Sequence, residues 1–460
     1  MRPDLVADLP LDIDPHSKLS IPVQLAAQIR ELLTRRVIAP GDHLPSTRML
    51  AARLGVSRGT VVTAYEQLGA EGYLTSAHGS GTLINPGLNL LKPDSAGYGT
   101  EKRTPQAPVQ QDLINLDPGI PDTTTLADSA WRAAWRRACS TPPRPQPPLG
   151  LPALRVEISE HLRHMRGLVA DPSRIVVTAG AREGLTLLLR ALGDNLDIGV
   201  ESPGYPSLRR VPQVLGHRTV NLNTDADGLD VDRLGAPLDA VLLTPSHQYP
   251  YGGSLPASRR TRLTTWAADN STLLIEDDFD SELRYLGMPL PALTAMAPER
   301  AVLLGTFSSV ISPQIACGYL VAPEELIPEL GNLRGIIGQP VGAITQEALA
   351  HYLASGALRR RTQRMRRLYR RRRELVTRTF STTGNAELRP INGGLHAVLI
   401  CNLPESEVVR NCADRGVGVT GLSSYWGGGK AENGIVFGFG GHDDATLERA
   451  LRRIVEATAP

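Results

Sequence analysis

The chain has 460 residues, 41% of them hydrophobic, which is enough for two or three domains with buried cores. Its formal net charge of +2 neither indicates nor excludes nucleic acid, because basic patches can be local. No stretch approaches the roughly 18 apolar residues of a membrane span, and Asp4, Asp8 and Asp12 interrupt any N-terminal signal sequence. We therefore expect a cytoplasmic protein that does not associate with membranes.

Lysine and cysteine are both scarce. The only lysines are Lys18, Lys92, Lys102 and Lys430. The cysteines are Cys139, Cys317, Cys401 and Cys412. They form no C-x-x-C pair and no metal-ligand spacing, which favours buried, reduced thiols and no metal site.

Residues 18–85 show the pattern of three short helices followed by two strands. Ser46 and Ser57 are placed to cap the second and third helices. Between these helices, residues 54–57 (Leu-Gly-Val-Ser) provide the tight connection that a helix-turn-helix requires. Strand-like residues on both sides of the His-Gly-Ser-Gly sequence at 78–81 predict a hairpin wing.

The string LPSTRMLAARLGVSRGTVVTAYEQLGAEGYL, followed by HGSGT, resembles the GntR family of winged helix-turn-helix regulators. The resemblance implies that the third helix meets the major groove of a double-stranded DNA operator. The implied contact residues are Arg48, Ser57, Arg58, Gly59, Thr60, His78 and Gly79. The alternative is a small helical domain whose arginines are merely solvated.

Beyond the helical region, residues 86–112 are polar and rich in proline and glycine, which is typical of a flexible linker. From 113 to 460, short apolar runs alternate with helical patterns, which indicates a mainly parallel sheet covered by helices. The apolar runs that predict strands are 175–177, 240–243, 273–275, 302–304 and 319–321.

Several strings in this second region resemble fold-type I aminotransferases, and in particular the MocR subfamily of regulators, which fuses a GntR head to that fold. They are GLPALRVEISEHL, VVTAGAREGL, ESPGYP, LLTPSHQYPYGG, LIEDDFDSELRY and LLGTFSSVISPQIACGYLVAP. The resemblance implies an α/β aminotransferase-like domain over residues 113–460 that forms a homodimer.

Aminotransferases of this fold use pyridoxal phosphate, and the resemblance locates some of the groups that would hold it. The start of the helix after the strand at 175–177 can present backbone N–H groups to a phosphate. Tyr205 takes the place of the aromatic side chain that stacks on the cofactor ring. Asp277 takes the place of the carboxylate that faces the ring nitrogen.

The other cofactor groups are missing. The position of the imine-forming lysine holds Ser309, whose hydroxyl cannot form an imine with an aldehyde. The position of a tyrosine that meets the ring hydroxyl holds Phe279, and that of a phosphate-binding arginine holds Ala316. A tyrosine supplied by the partner subunit falls at Pro145. We therefore expect no covalent cofactor and no aminotransferase activity, and the losses also disfavour non-covalent pyridoxal phosphate.

The sequence favours a pocket that now senses a small-molecule effector with a cationic or hydrogen-bond-donating nitrogen. The predicted effector-binding residues are Gly180, Ala181, Arg182, Tyr205, His247, Asp277, Phe279 and Ser309. In one alternative the large domain is a ligand-free dimerisation scaffold and Asp277 pairs internally with Arg182, Arg284 or another arginine. A second alternative, an active aminotransferase, is opposed by Ser309.

Residues 359–373 contain ten arginines. Such a run is more often the solvated face of a helix, here with Leu358, Met365 and Leu368 turned inward. A second contact with DNA is the other interpretation, and the sequence alone leaves both open.

Overall fold

The computed structural model describes residues 9–14, 17, 19–77, 81–88, 113–140, 142, 145–285, 290–381, 384–429 and 431–459. The chain divides into two compact units, Met1–Val109 and Gln110–Pro460, called here the head and the large domain. Residues 89–112, most of the predicted linker, lie outside the described ranges. Within those ranges, no helix is long and apolar enough to cross a membrane.

The head contains three helices and a three-stranded antiparallel sheet. Its elements are α1 (Ile21–Thr34), β1 (His43–Leu44), α2 (Thr47–Leu54), α3 (Arg58–Ala70), β2 (Leu74–Ala77) and β3 (Gly81–Ile84). The sheet order is β1-β3-β2. Sequence analysis predicts only the β2–β3 hairpin, because a strand of two residues such as β1 has no alternation that could reveal it.

Apolar side chains from the three helices form the core of the head. Leu25 and Ile29 of α1, Leu50 of α2, and Val61 and Leu68 of α3 are almost fully buried. Leu25 and Ile29 are four residues apart and Val61 and Leu68 are seven apart, spacings that place each pair on one face of its helix. The core therefore fixes α2 and α3 against α1 and leaves their outer faces to solvent.

The large domain consists of twelve helices and fourteen strands in the described ranges. Its helices are α4 (Ser129–Ala138), α5 (Pro152–Arg166), α6 (Ala181–Leu192), α7 (Pro206–Arg209), α8 (Val211–Val214), α9 (Ala257–Asp269), α10 (Leu293–Met296), α11 (Ile327–Ile337), α12 (Ala343–Ala354), α13 (Ala357–Phe380), α14 (Glu405–Asp414) and α15 (Asp444–Ala457). Its strands are β4 (Ile114–Asn115), β5 (Ile175–Thr178), β6 (Asp197–Ser202), β7 (Arg218–Asp225), β8 (Gly228–Leu229), β9 (Ala240–Leu243), β10 (Leu273–Asp278), β11 (Ala301–Thr306), β12 (Gly318–Val321), β13 (Ala386–Leu388), β14 (His396–Cys401), β15 (Val417–Gly418), β16 (Thr420–Gly421) and β17 (Gly434–Gly438).

Eight of these strands form the main sheet, in the order β5-β12-β11-β10-β9-β6-β7-β8. Strands β11, β10, β9, β6 and β7 run parallel, whereas β12 is antiparallel to both of its neighbours. Consecutive residues of the central strands, such as Leu274-Ile275 and Val302-Leu303, are fully buried. Burial on both faces is what a parallel sheet covered by helices requires, and the mainly parallel α/β fold is confirmed.

A second, four-stranded sheet has the order β13-β14-β17-β16.

The burial of the four cysteine thiols only partly agrees with the sequence-based expectation. Cys317, Cys401 and Cys412 are buried, but Cys139 is exposed. Cys139 is the residue directly after α4, at the exposed end of that helix. The expectation of four buried thiols is therefore wrong.

Candidate functional site

The helix-turn-helix of the head is built by two serine caps. The Ser46 hydroxyl accepts a hydrogen bond from the Met49 backbone N–H at the start of α2, and that of Ser57 accepts one from the Thr60 N–H at the start of α3. Between these helices Gly55 has φ +66°, a left-handed conformation that favours glycine and closes α2. Both caps predicted from sequence are present.

The N-terminal turn of α3 is exposed and carries most of the predicted DNA contacts. Arg58 and Gly59 are exposed, as is Arg48 on the neighbouring α2. The Thr60 hydroxyl lies 2.8 Å from that of Ser57, so part of its bonding capacity serves the cap. His78 and Gly79, the predicted wing tip, lie outside the described residues.

The relative placement of α2 and α3 is fixed by a buried hydrogen bond. The Tyr65 hydroxyl, on α3, donates to the backbone carbonyl of Pro45, two residues before α2, at 3.0 Å. Burial raises the pKa of Tyr65, so this hydroxyl keeps its proton and remains a donor. The exposed arginines of both helices are thereby presented from a rigid support, as base or phosphate contacts require.

The large domain contains a cavity of about 360 Å³ where several strands of the main sheet end. The chain enters it directly after β5, β6, β10 and β11, which places it at the carboxyl ends of the parallel strands. Ligands of open α/β sheets bind at this edge. The lining includes seven of the eight predicted effector residues: Gly180, Ala181, Arg182, Tyr205, Asp277, Phe279 and Ser309.

Asp277 is the most unusual of these residues. It is only 4% exposed, and its Oδ1 atom is buried without a hydrogen-bond partner. Burial raises the pKa of this carboxyl well above its ordinary value, and the nearby Asp278, Asp280, Glu201 and Glu276 raise it further. No ion pair reaches Asp277 from any residue in the described ranges, so the pairing with Arg182 or Arg284 that the sequence left open is not found.

Strand geometry explains why Asp277 lacks an arginine partner. Successive residues of β10 point to opposite faces of the sheet. Glu276 and Asp278 share one face, where the buried guanidinium of Arg166 from α5 lies 3.0 Å from a carboxylate oxygen of each. Asp277 points to the other face, into the cavity. The acidic strand therefore has its cation on one side and an unpaired carboxyl on the other.

Ser309 and Phe279 stand side by side in the cavity wall. Ser309 is 8% exposed, and its hydroxyl donates a hydrogen bond to the backbone carbonyl of Phe279 at 2.5 Å. The Phe279 ring contributes only apolar surface. Ala316 also lines the cavity and has φ +45°, which is uncommon for a residue with a side chain. These three residues offer the cavity no cation, and their single hydroxyl is already bonded.

The helix start predicted to form a phosphate cup is partly occupied from within the protein. Gly180, with φ +104°, is the N-cap of α6, and Arg182 is exposed at the cavity mouth. However, the Ala179 N–H donates to Glu183, a carboxylate that also pairs with Arg334 at 2.6 Å. One N–H of the cup therefore already has an anionic partner.

His247 is the predicted effector residue that does not line this cavity. It packs behind the wall, its ring stacked on Phe279 with centroids 5.7 Å apart, and its Nδ1 lies 2.7 Å from Asp280 Oδ2. His247 is 5% exposed. It therefore positions Phe279 and Asp280 and does not face a ligand in this cavity.

Sequence reasoning also missed several lining residues. They are Pro118, Gly119, Ile120, Leu208, Tyr249, Asp280, Thr306, Ser308, Pro313, Leu395 and His396. Asp280, Thr306 and Ser308 belong to the strings that carry the aminotransferase resemblance, which could have indicated them. Residues 118–120 and 395–396 come from distant parts of the chain, and only the tertiary fold brings them to the cavity.

Comparisons with known proteins agree with both units. The profile of the bacterial regulatory proteins of the gntR family matches residues 23–84. The whole chain is similar to the HTH-type pyridoxine biosynthesis transcriptional regulator PdxR of Corynebacterium glutamicum, with 62% identity covering 99% of this chain and 100% of the relative. It is 28% identical to the probable rhizopine catabolism regulatory protein MocR of Rhizobium meliloti, over 98% of this chain and 95% of the relative.

Solved structures resemble the large domain. An archaeal alanine:glyoxylate aminotransferase matches with a TM-score of 0.71 and 23% identity, covering 75% of this chain and 90% of that chain. The multiple substrate aminotransferase from Thermococcus profundus matches with a TM-score of 0.69 and 20% identity, covering 76% and 91%. At such identities the likeness concerns the fold alone. The chain therefore belongs to the PdxR and MocR family of HTH-type transcriptional regulators, in which a gntR-type head precedes an aminotransferase-like domain.

Proposed function

We propose that this protein regulates genes of pyridoxine biosynthesis and that its large domain senses a small molecule without performing transamination. The regulated genes are inferred from the 62% identity, over nearly the full length, to a regulator named for that pathway. The sensing role is inferred from the large domain itself. The observation that carries it is the buried, unpartnered carboxyl of Asp277 in the wall of the cavity.

The proposal that the large domain is not an aminotransferase rests on Ser309. An imine needs a primary amine, and the only lysine after residue 112 is Lys430, which lies outside the described residues. The Ser309 hydroxyl is held by the Phe279 carbonyl. The residues present therefore do not fit covalently bound pyridoxal phosphate.

Non-covalent pyridoxal phosphate is a poor fit at its phosphate end. Ala316 supplies no cation, and the Ala179 N–H is bound to Glu183. A charge-assisted hydrogen bond contributes roughly 1.5–3 kcal/mol, so the lost arginine alone weakens phosphate binding substantially. The structure thus favours an effector that lacks a phosphate group.

The ring end of the cavity fits a flat molecule with a protonated or proton-donating nitrogen. Such a nitrogen would give Asp277 the partner that the protein does not provide, which offsets the cost of burying a carboxylate. Tyr205, 39% exposed, and Tyr249 present aromatic surface in the same cavity, with ring centroids 5.2 Å apart. A volume of about 360 Å³ is within the range of small-molecule sites. Unphosphorylated pyridine compounds of the pyridoxine class match this description.

The alternative in which the large domain is only a dimerisation scaffold is less well supported. Disuse would allow the cavity to fill with apolar side chains, since a buried carboxyl without a partner costs free energy. Asp277 instead remains beside an open cavity. In either case we propose that the protein is a homodimer, in which two heads bind two operator half-sites.

The test is calorimetric titration of the full chain with pyridoxine, pyridoxal and pyridoxal phosphate. We expect binding of at least one unphosphorylated compound, weakened at least tenfold by Asp277→Asn and by Tyr205→Ala. Glu201→Gln is the matched control, because Glu201 is a buried acid of the same sheet that does not line the cavity. Absence of binding by the wild-type chain, together with absence of any co-purifying small molecule, would support the scaffold.

A further inference from the structure

Helix α13 concentrates positive charge in a chain that is otherwise acidic. Its 24 residues contain eleven arginines and one glutamate, a net charge of +10. Because the whole chain has a net charge of +2, the remaining residues together carry −8. The near neutrality of the whole protein therefore conceals a strongly basic element on the large domain.

Two of these arginines are buried and have structural roles. The guanidinium of Arg361 donates to the backbone carbonyls of Val310 and Asp122. That of Arg372 pairs with Asp122 at 2.9 Å and with Asp444 at 2.8 Å. These contacts anchor α13 to the rest of the domain and account for the inward-facing charges.

The outward-facing arginines differ in having almost no ionic partners. The exposed ones are Arg359, Arg360, Arg364, Arg367, Arg370, Arg371 and Arg378. Among the described residues only Arg364 forms an ion pair, a distant one with Asp128 at 3.4 Å. The single acid of the helix, Glu374, is also exposed and forms no ion pair in the same ranges. The outer surface of α13 thus carries uncompensated positive charge.

Helical spacing arranges these charges in a row. Residues 360, 364, 367, 371 and 378 are separated by three, four or seven positions and lie on one face. From 360 to 378 this row is about 27 Å long at 1.5 Å per residue. Like charges three or four residues apart repel and destabilise an isolated helix. A polyanion along the row would remove that repulsion.

We propose that the outer face of α13 binds the phosphate backbone of double-stranded DNA, as a contact surface separate from α3. Duplex DNA presents about one negative charge per 1.7 Å of its axis, so a duplex lying along the row would offer roughly 16 phosphates, more than enough for each of the five arginines to contact one. The planar guanidinium group binds phosphate oxygens with two parallel hydrogen bonds. The inference rests on the proposed function as a DNA-binding regulator, because binding of the head to DNA places a duplex within reach of the protein.

The experiment measures the affinity of the full chain for a long random-sequence duplex over a series of KCl concentrations. The test variant replaces Arg360, Arg367, Arg371 and Arg378 with glutamine, which preserves helix propensity. The slope of log K against log salt is negative, and each lost phosphate contact reduces its magnitude by about 0.9, so we expect the magnitude to fall by about 3 to 4. Random DNA suffices because phosphate contacts carry no sequence information.

A matched control removes the same charge elsewhere on the large domain. Arg190, Arg210, Arg300 and Arg410 are exposed, lie outside α13 and form no ion pair among the described residues. Replacing these four with glutamine should leave the slope unchanged. A third variant with lysine at the four α13 positions should keep the wild-type slope, because lysine also neutralises phosphate.

Equal slopes for the α13 glutamine variant and the control would overturn the proposal, and would direct attention to an acidic protein partner. Thermal unfolding of each variant shows whether it is folded. If the glutamine variant does not fold, replacement of Arg367 and Arg371 alone should reduce the magnitude of the slope by about 1 to 2, and an unchanged slope would overturn the proposal. Failure of the wild-type chain itself to bind any duplex would instead contradict its function as a DNA-binding regulator.

Discussion

The Ser309 hydroxyl donates its hydrogen bond to the backbone carbonyl of Phe279. These are the two positions where the aminotransferase resemblance expects the imine-forming lysine and the tyrosine that meets the ring hydroxyl. The two replaced positions are therefore in direct contact, through the Ser309 hydroxyl and the backbone of residue 279. Replacing Ser309 with lysine alone would still leave Phe279 without the hydroxyl that meets the ring oxygen of the cofactor.

The first prediction is that this protein forms no covalent adduct with pyridoxal phosphate. After incubation with the cofactor and borohydride, mass spectrometry should detect unmodified protein, and no visible imine band should appear. Ser309→Lys alone should not produce transamination, because Phe279 and Ala316 still lack the hydroxyl and the cation. The triple variant with Phe279→Tyr and Ala316→Arg is the informative comparison. A trapped adduct on any lysine of the wild-type chain would contradict the prediction.

The second prediction concerns the recognition helix. Arg58 is exposed on the first turn of α3, and its Nε atom lies 3.4 Å from the Thr47 hydroxyl. If Arg58 reads a base edge, Arg58→Ala should weaken operator binding by about 1–3 kcal/mol and relax specificity at one position. Equal weakening on random DNA would identify a phosphate contact instead. Arg35→Ala is the control, because Arg35 is an exposed arginine of the same head that follows α1.

Local patterns in the sequence were sufficient to predict the helix-turn-helix of the head and five of the eight strands of the main sheet. The caps at Ser46 and Ser57 follow from side-chain chemistry within one turn of a helix. The five predicted strands of the main sheet follow from runs of apolar residues, since strands that are buried on both faces of a sheet have no polar face. Strand β1 could not be predicted, because its two residues acquire their structure only by pairing with β3.

The residues that line the cavity could be predicted only in part. Residues such as Tyr205 and Asp277 belong to strings whose family role is known. His247 belongs to such a string as well, yet its ring lies behind Phe279. Within a strand, alternation predicts which face of the sheet a side chain occupies. His247 follows the end of β9, so the sequence does not predict whether its side chain points into the cavity or away from it. The sequence also could not predict that Asp277 lacks an arginine partner. Arg166 is distant in sequence, and it pairs with Glu276 and Asp278 on the other face of β10.

The third prediction tests whether the large domain contributes through dimerisation. Removing residues 113–460 should weaken binding to an operator with two half-sites, because two linked heads raise each other's effective concentration by a factor that can reach 10²–10⁴. Binding to a single half-site, where linkage gives no advantage, is the control. The head has its own buried core and can be purified for this comparison. Equal affinity of the isolated head and the full chain for the two-half-site operator would contradict the dimeric arrangement.

The fourth prediction uses the raised pKa of Asp277. A carboxyl whose pKa is higher in the folded than in the unfolded state stabilises the fold below the unfolded pKa. That stability is lost as the pH rises through the folded pKa, because only the unfolded state gives up its proton readily. Above about pH 4, wild type should therefore lose stability relative to Asp277→Asn, with a limiting slope of about 1.4 kcal/mol per pH unit. The measurement is thermal unfolding of the effector-free protein at a series of pH values.

Two further variants show whether this trend belongs to Asp277. Glu201 is also buried, and burial raises its pKa to about 7, so Glu201→Gln should show the same trend but level off near that pH. Asp443 caps α15 through the Thr446 N–H, which lowers its pKa, so Asp443→Asn should show the opposite sign. Wild type should be more stable than Asp443→Asn above the unfolded pKa of Asp443, and this difference in stability should be lost as the pH falls through its folded pKa. A pH-independent difference between wild type and Asp277→Asn would contradict the raised pKa of Asp277. A trend of the opposite sign would mean that Asp277 has an ionic partner in the folded protein, and the cavity would then have no unpaired acid with which to attract a cationic effector.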